Sequence, residues 1–247
     1  MKFSALDFRI AATHLPVPGR WPEWIEADGA RIRIRDSALS HSARRRLMRG
    51  GYESAERALV RACIPAGARV LELGASAGVL SSILGCRVGH AGALLCVEPD
   101  ASLAENFQMQ MRLNGLDAAL VHALGCPVWL DETPPEFARL GFVTSGSSLD
   151  GQARAGVVPS VPWRTLRQIC AGAVFEPDTL VIDVEGAERV WATHAPCLPV
   201  FVRRVLVELH PAIIGADTAG AALGALLREG FLPKAFLGTV FALERIP

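Results

Sequence analysis

Residues Val70-Leu71-Glu72-Leu73-Gly74-Ala75-Ser76-Ala77-Gly78 decide how this chain folds. Arg69 to Leu73 is a short apolar strand, five small residues make a turn, and an apolar helix runs on through Leu84. A strand, a turn without bulk and a helix bring bare backbone close to a ligand. In open parallel sheets such ligands lie outside the carboxyl ends of the strands. Strands and helices alternate outward from this turn. Ala93 to Val97 is a second strand ended by Glu98-Pro99, and Asp100 caps a helix to Leu113, which Asn114-Gly115 stops. Ala119 to Ala123 reads as a third strand, and Thr179 to Asp183 and Val205 to Leu209 as two more. These unbroken Val/Leu/Ile runs suit a parallel sheet covered on both faces. A helix over about 218–228 and a strand pair within 231–244 complete the pattern. The expected fold is α/β: a Rossmann-like, doubly wound sheet over residues 51–247, preceded by a helical N-terminal arm, residues 1–50.

The 247 residues carry 25 Lys+Arg against 25 Asp+Glu, a neutral sum that argues against bulk nucleic-acid binding. Only Lys2 and Lys234 are lysines, so 23 of the 25 cations are arginine. With 51% hydrophobic residues the chain can bury a sizeable core. No apolar run is long enough for a membrane helix, and Asp7 and Arg9 interrupt any signal-peptide core. The six cysteines are scattered, with no Cys-x-x-Cys pair, and read as reduced residues of a cytoplasmic protein.

Three chemistries compete for the glycine turn. A dinucleotide fingerprint needs G-x-G-x-x-G, but Ser76 replaces its second glycine. Gly74-Ala-Ser-Ala-Gly78 also spells G-x-S-x-G, the nucleophile elbow of α/β-hydrolases, and Asp183 and His210 follow in hydrolase order. That reading lacks an upstream oxyanion loop and leaves Glu98 unexplained. The third is binding of S-adenosylmethionine, which has no phosphates and needs close packing plus acidic acceptors. Glu98, 24 residues after Gly74, can accept hydrogen bonds from both ribose hydroxyls. Glu72, Gly74, Gly78 and Glu98 together suit this cofactor best.

The motif order also resembles the FkbM family of S-adenosylmethionine-dependent methyltransferases. The matching pieces are Gly51-Tyr-Glu-Ser-Ala-Glu56, Leu71-Glu-Leu-Gly-Ala-Ser-Ala-Gly78, Val97-Glu-Pro99, Leu113-Asn-Gly115, Ser147-Ser148, Val161-Pro-Trp-Arg-Thr-Leu166, Ile182-Asp-Val-Glu-Gly-Ala-Glu188 and Glu208-Leu-His-Pro211. The resemblance spans about residues 50–211 and is most specific in its last two pieces. It implies a class I methyltransferase acting on a hydroxyl, often of a sugar or secondary metabolite, and it places Ser148 beside the cofactor. Val181 stands where the family commonly has lysine, and Glu72 and Ser76 replace its usual Asp and Asn.

Glu72, Gly74, Ala75, Ser76, Gly78, Glu98, Pro99, Ala123, Leu124, Ser148 and Asp183 are therefore the expected cofactor set. Ala123 and Leu124 would lie near the adenine. Asp183 and Glu185 end one strand, and Glu208 and His210 the next. Methylating an alcohol requires removing its proton, and His210 is the expected base, with Asp183 positioning the acceptor. Alternatively Asp183 and Glu208 hold a divalent metal that acidifies the hydroxyl. Tyr52, the single tyrosine, either closes over the cofactor or packs the arm, while His194 reads as helix-end surface. Residues 31–49 carry seven arginines against Asp36; Arg31, Arg33 and Arg35 alternate with Ile32 and Ile34 in strand fashion. A solvated surface is the default reading of this stretch, and an anionic small-molecule or glycan acceptor the more specific one. A degenerate, non-catalytic binding module is the remaining alternative.

Overall fold

The structure is a computed structural model that describes residues 21–98, 100–116, 121–124, 128–129, 164–193 and 198–246. Pro99, Ser147, Ser148 and His194 lie outside these residues. The described chain begins with a hairpin, β1 (Trp24–Ala27) and β2 (Ala30–Arg33), followed by α1 (His41–Met48) and α2 (Ser54–Cys63). Then come β3 (Arg69–Leu73), α3 (Val79–Val88), β4 (Ala93–Val97), α4 (Ala104–Leu113), β5 (Val121–Leu124) and β6 (Val128–Trp129). After them run β7 (Arg164–Thr165), α5 (Leu166–Ala173), β8 (Thr179–Ile182), α6 (Arg189–Thr193) and β9 (Arg204–Glu208). The chain closes with α7 (Pro211–Ile214), α8 (Ala216–Arg228), β10 (Phe231–Leu237) and β11 (Val240–Arg245).

Seven strands form the main sheet in the order β10-β11-β9-β8-β3-β4-β5. The pairs β3–β4, β3–β8, β4–β5 and β8–β9 are parallel, and β11 inserts antiparallel between β9 and β10. Counted within this sheet alone, the strands run 3-2-1-4-5-7-6. The order reverses between β3 and β8, and a crevice opens at the carboxyl ends of such a pair. Alternation along β3 sends Val70 to one face and Leu71 and Leu73 to the other, giving two cores. One core collects α3 and α4 residues such as Ile83 and Phe107; the second collects Leu166, Trp191 and Leu226 from α5, α6 and α8.

Among its described residues, from 21 onward, the arm has a hairpin before its helix. Asp28 and Gly29 both take positive φ (51° and 85°), the conformation of a tight turn that matches strand twist. The alternation seen at residues 31–35 is thus half of a paired ribbon. Ile32 and Ile34 are fully buried and join the same core as α3, each contributing about 1.5–3 kcal/mol. Asp28 then binds Arg57 (2.6 Å) and Arg61 (2.5 Å) of α2, tying the hairpin to the sheet domain. No helix among the described residues is long and apolar enough to cross a membrane.

Candidate active site

The β3–β4 half of the crevice is a closed network. Gly74 (φ 91°) leaves β3 so close to β8 that a Cβ there would overlap the Asp183 carbonyl oxygen. The Gly74 and Ala75 amides donate to the Val97 carbonyl at 2.9 and 3.2 Å. Ser76, in the left-handed region at φ 47°, turns its amide onto a Glu98 carboxylate oxygen at 2.7 Å. The other Glu98 oxygen accepts from the Asp100 amide at 2.9 Å. Burial pushes the Glu98 carboxyl up, and these two amides pull it back. Gly78 (φ 81°) starts α3, and Phe107 packs 3.1 Å from the point where a Cβ would stand. Glu72 points below the turn and is buried, accepting from Ser81 Oγ (2.5 Å) and Cys96 Sγ (3.1 Å). Its burial raises the carboxyl to about 7, against the pull of those two donors. Ala123 and Leu124 end β5 level with Cys96 and Val97.

The β8–β9 half is different. His210 Nδ1 pairs with a Glu188 carboxylate that has no solvent exposure. Its Nε2 faces Asp183 and Glu185 at 3.5 Å each and Glu208 at 3.8 Å. Burial alone would lower the imidazole; the bond to Glu188 and the charges of Asp183, Glu188 and Glu208 outweigh it and raise His210 to about 9. Burial and then the Glu185 charge push Asp183 well above its ordinary value. Glu208 rises to about 9 through burial and the neighbouring Asp183 and Glu56. The four groups that end β8 and β9 thus meet as one cluster around a single imidazole.

Three further acids belong here and were not among the expected site residues. Glu53 and Glu56 reach the cluster from the start of α2, and Glu188 from the turn after β8. Glu53 sits at φ 46° and Glu185 at φ 48°, so both are held in a costly conformation beside the site. Burial, then the Glu56 and Glu72 charges, push Glu53 to about 8, and its Oε2 has no hydrogen-bond partner among the described residues. Tyr52 bonds Glu53 while the Arg46 guanidinium lies 5.6 Å over its ring, linking the arm to the cluster. The signal for these acids lay in the Gly51–Glu56 and Asp183–Glu188 motifs, where they stood unassigned. The hydrolase arrangement finds no support here. Both His210 nitrogens face carboxylates, no hydrogen bond joins Ser76 Oγ to His210 among the described residues, and β3 is the first strand of its sheet there, so no earlier sheet loop among the described residues completes an oxyanion hole.

The strand order with its antiparallel seventh strand, the glycine turn at the reversal point and the acid closing β4 define a Rossmann-like class I methyltransferase fold. No protein-family model and no curated protein matches the chain. Among solved structures it is similar to a fibrillarin pre-rRNA processing protein from Methanococcus jannaschii (14% identity, 92% of this chain and 84% of that one, TM-score 0.46). It is also similar to Aeropyrum pernix fibrillarin with natively bound S-adenosyl-L-methionine (13%, 76% and 73%, 0.44) and to a Thermotoga maritima S-adenosylmethionine-dependent O-methyltransferase (12%, 78% and 65%, 0.43). The fold assignment rests on the strand order itself.

Proposed function

We propose that the protein is a cytoplasmic S-adenosylmethionine-dependent O-methyltransferase of FkbM type, acting on a hydroxyl of a sugar or secondary metabolite. One observation carries this reading: the same edge of the sheet holds a small-residue turn fastened to Glu98 and, beside it, an acid–imidazole cluster. The donor set fits the cofactor. Glu98 keeps lone pairs for two ribose hydroxyls, the side chains of Ala75 and Ser76 are small, and the strand-end acids match a sulfonium charge. When bound, S-adenosylmethionine supplies an activated methyl group. The chain's own residues do the rest. Glu72 braces the turn from beneath through Ser81. Asp183, Glu208 and His210 orient the acceptor hydroxyl and take its proton as a coupled set, not as one isolated base. The exposed Arg45 and Arg49 of the arm leave room for an anionic group elsewhere on the acceptor.

Calorimetry with S-adenosylmethionine, paired with a mass-detected methyl-transfer screen over glycans and metabolites, tests this. Saturable binding that Glu98→Ala weakens by about 10–100-fold, and a product 14 Da heavier, are expected. Binding without any methyl transfer would favour a non-catalytic binding module. No binding would overturn the reading altogether.

A further inference from the structure

The sequence motifs leave the identity of the cluster's missing partner open, and the geometry narrows it. Asp183, Glu185 and His210 each offer one ligand atom, all within 4.8 Å of one another. His210 Nε2 lies 3.5 Å from both carboxylates. Around a cation with bonds of about 2.1–2.4 Å, ligand atoms at right angles are about 3.0–3.4 Å apart. A contraction of a few tenths of an ångström would therefore close the set on an ion. Three buried oxygens of the cluster, Asp183 Oδ1, Glu53 Oε2 and Glu188 Oε2, have no hydrogen-bond partner among the described residues, and Asp183 Oδ1 has only the His210 Nε2 ion-pair approach at 3.5 Å. Buried carboxylate oxygens are nearly always paired, and one imidazole shared among four carboxylates does not pair these three, so they point to a cation or donor from outside the chain. The charges that crowd Asp183 are those of Glu185, Glu53 and Glu56, and His210 is the group that opposes them. Outside the ligand set, Glu188 is buried completely and binds the far nitrogen of His210, which fixes the tautomer that turns Nε2 inward.

We propose that Asp183, Glu185 and His210 form a divalent-cation site, with Glu208 at its margin and Glu188 as the residue that positions His210. Two carboxylates and one imidazole suit a hard, six-coordinate ion of the Mn2+ or Mg2+ class. The ligand set differs from the Asp183–Glu208 pair expected from strand ends alone, because Glu185 turns back at φ 48° to reach the imidazole. An ion there would neutralise the acids and, by coordinating the acceptor hydroxyl, would lower the pH at which that hydroxyl passes its proton to Glu208, the member of the coupled set left outside the ligands. That consequence rests on the methyltransferase reading; the site itself does not.

Chelator-treated full-length protein titrated with MnCl2, with free Mn2+ counted by electron paramagnetic resonance, tests the proposal. One saturable Mn2+ per chain is expected, displaced by excess Mg2+. Asp183→Asn and His210→Gln should each weaken it at least about 10-fold, and Glu188→Gln by about 10–100-fold, with circular dichroism confirming the fold. Glu98→Gln should bind Mn2+ as wild type does. No saturable binding up to about 1 mM, or wild-type binding by Asp183→Asn and His210→Gln, overturns the site. Calorimetry with S-adenosylmethionine on the same samples separates the two readings. Cofactor binding without Mn2+ sinks the ion site alone, and Mn2+ binding without cofactor sinks the methyltransferase alone.

Discussion

Asp28 and Asp183 are both acids with a buried carboxylate oxygen, and the protein treats them oppositely. Asp28, at the tip of the hairpin, has one arginine on each oxygen, Arg57 at 2.6 Å and Arg61 at 2.5 Å. Asp183, at the end of β8, has an Oδ1 without a hydrogen bond among the described residues, an imidazole at 3.5 Å and further carboxylates around it. A buried charge costs several kcal/mol unless it is matched. Where the fold alone needed an acid, at the seam between arm and sheet domain, the match comes from within the chain. At the strand ends a single imidazole faces four carboxylates, and the proposed cation would make up that shortfall.

The largest effect is expected at Asp28. Its side chain and that of Arg57 are 5% and 6% exposed, so Asp28→Ala strands a buried guanidinium. The loss should be about 3–5 kcal/mol in urea unfolding, with S-adenosylmethionine affinity retained in whatever remains folded. A loss below about 1 kcal/mol would mean that the pair is not a structural match, and the contrast with Asp183 would fail.

Glu72 stands between these cases, buried with two neutral donors and no cation bonded to it among the described residues. Its folded value of about 7 lies above the ordinary 4.5, so the folded state holds the proton more tightly than the unfolded chain. Its contribution to stability is therefore full below pH 4.5, falls as pH rises to about 7, and is flat above that. Glu72→Gln removes this dependence and keeps an acceptor for Ser81. Relative to wild type, the variant should gain up to about 3 kcal/mol between pH 4.5 and pH 8. A stability difference that does not change with pH would refute the assignment.

These contrasts show which parts of the molecule can be read from sequence. The turn after β3 and the groups ending β4, β8 and β9 were legible because an apolar run that stops at a polar residue fixes both the strand and its carboxyl edge. The pairing of Asp28 with Arg57 was not, since 29 positions separate the partners and neither residue stands out from its surface-like neighbours. The hairpin had a local signal in Asp28-Gly29, flanked by strand-like alternation, yet the crowd of arginines drew the reading toward a helical, solvated arm. Glu53, Glu56 and Glu188 look like ordinary helix and turn acids; only the sheet's strand order brings residues 53, 188 and 210 together.

The smallest effect has the most informative sign. In metal-free protein, burial and the charges of Glu185, Glu53 and Glu56 make ionising Asp183 costly, with His210 opposing them. Asparagine keeps the shape and removes the charge. Asp183→Asn should therefore stabilise the chelator-treated protein, by about 0.5–2 kcal/mol, while abolishing methyl transfer, the trade expected where function holds a destabilising group in place. Adding Mn2+ should raise the melting temperature of the wild type and leave that of the variant unchanged, because an ion that binds only the folded state stabilises it in proportion to its occupancy. If Asp183→Asn instead destabilises the metal-free protein as Asp28→Ala does, Asp183 is a structural acid whose match lies within the chain, and the two aspartates are alike after all.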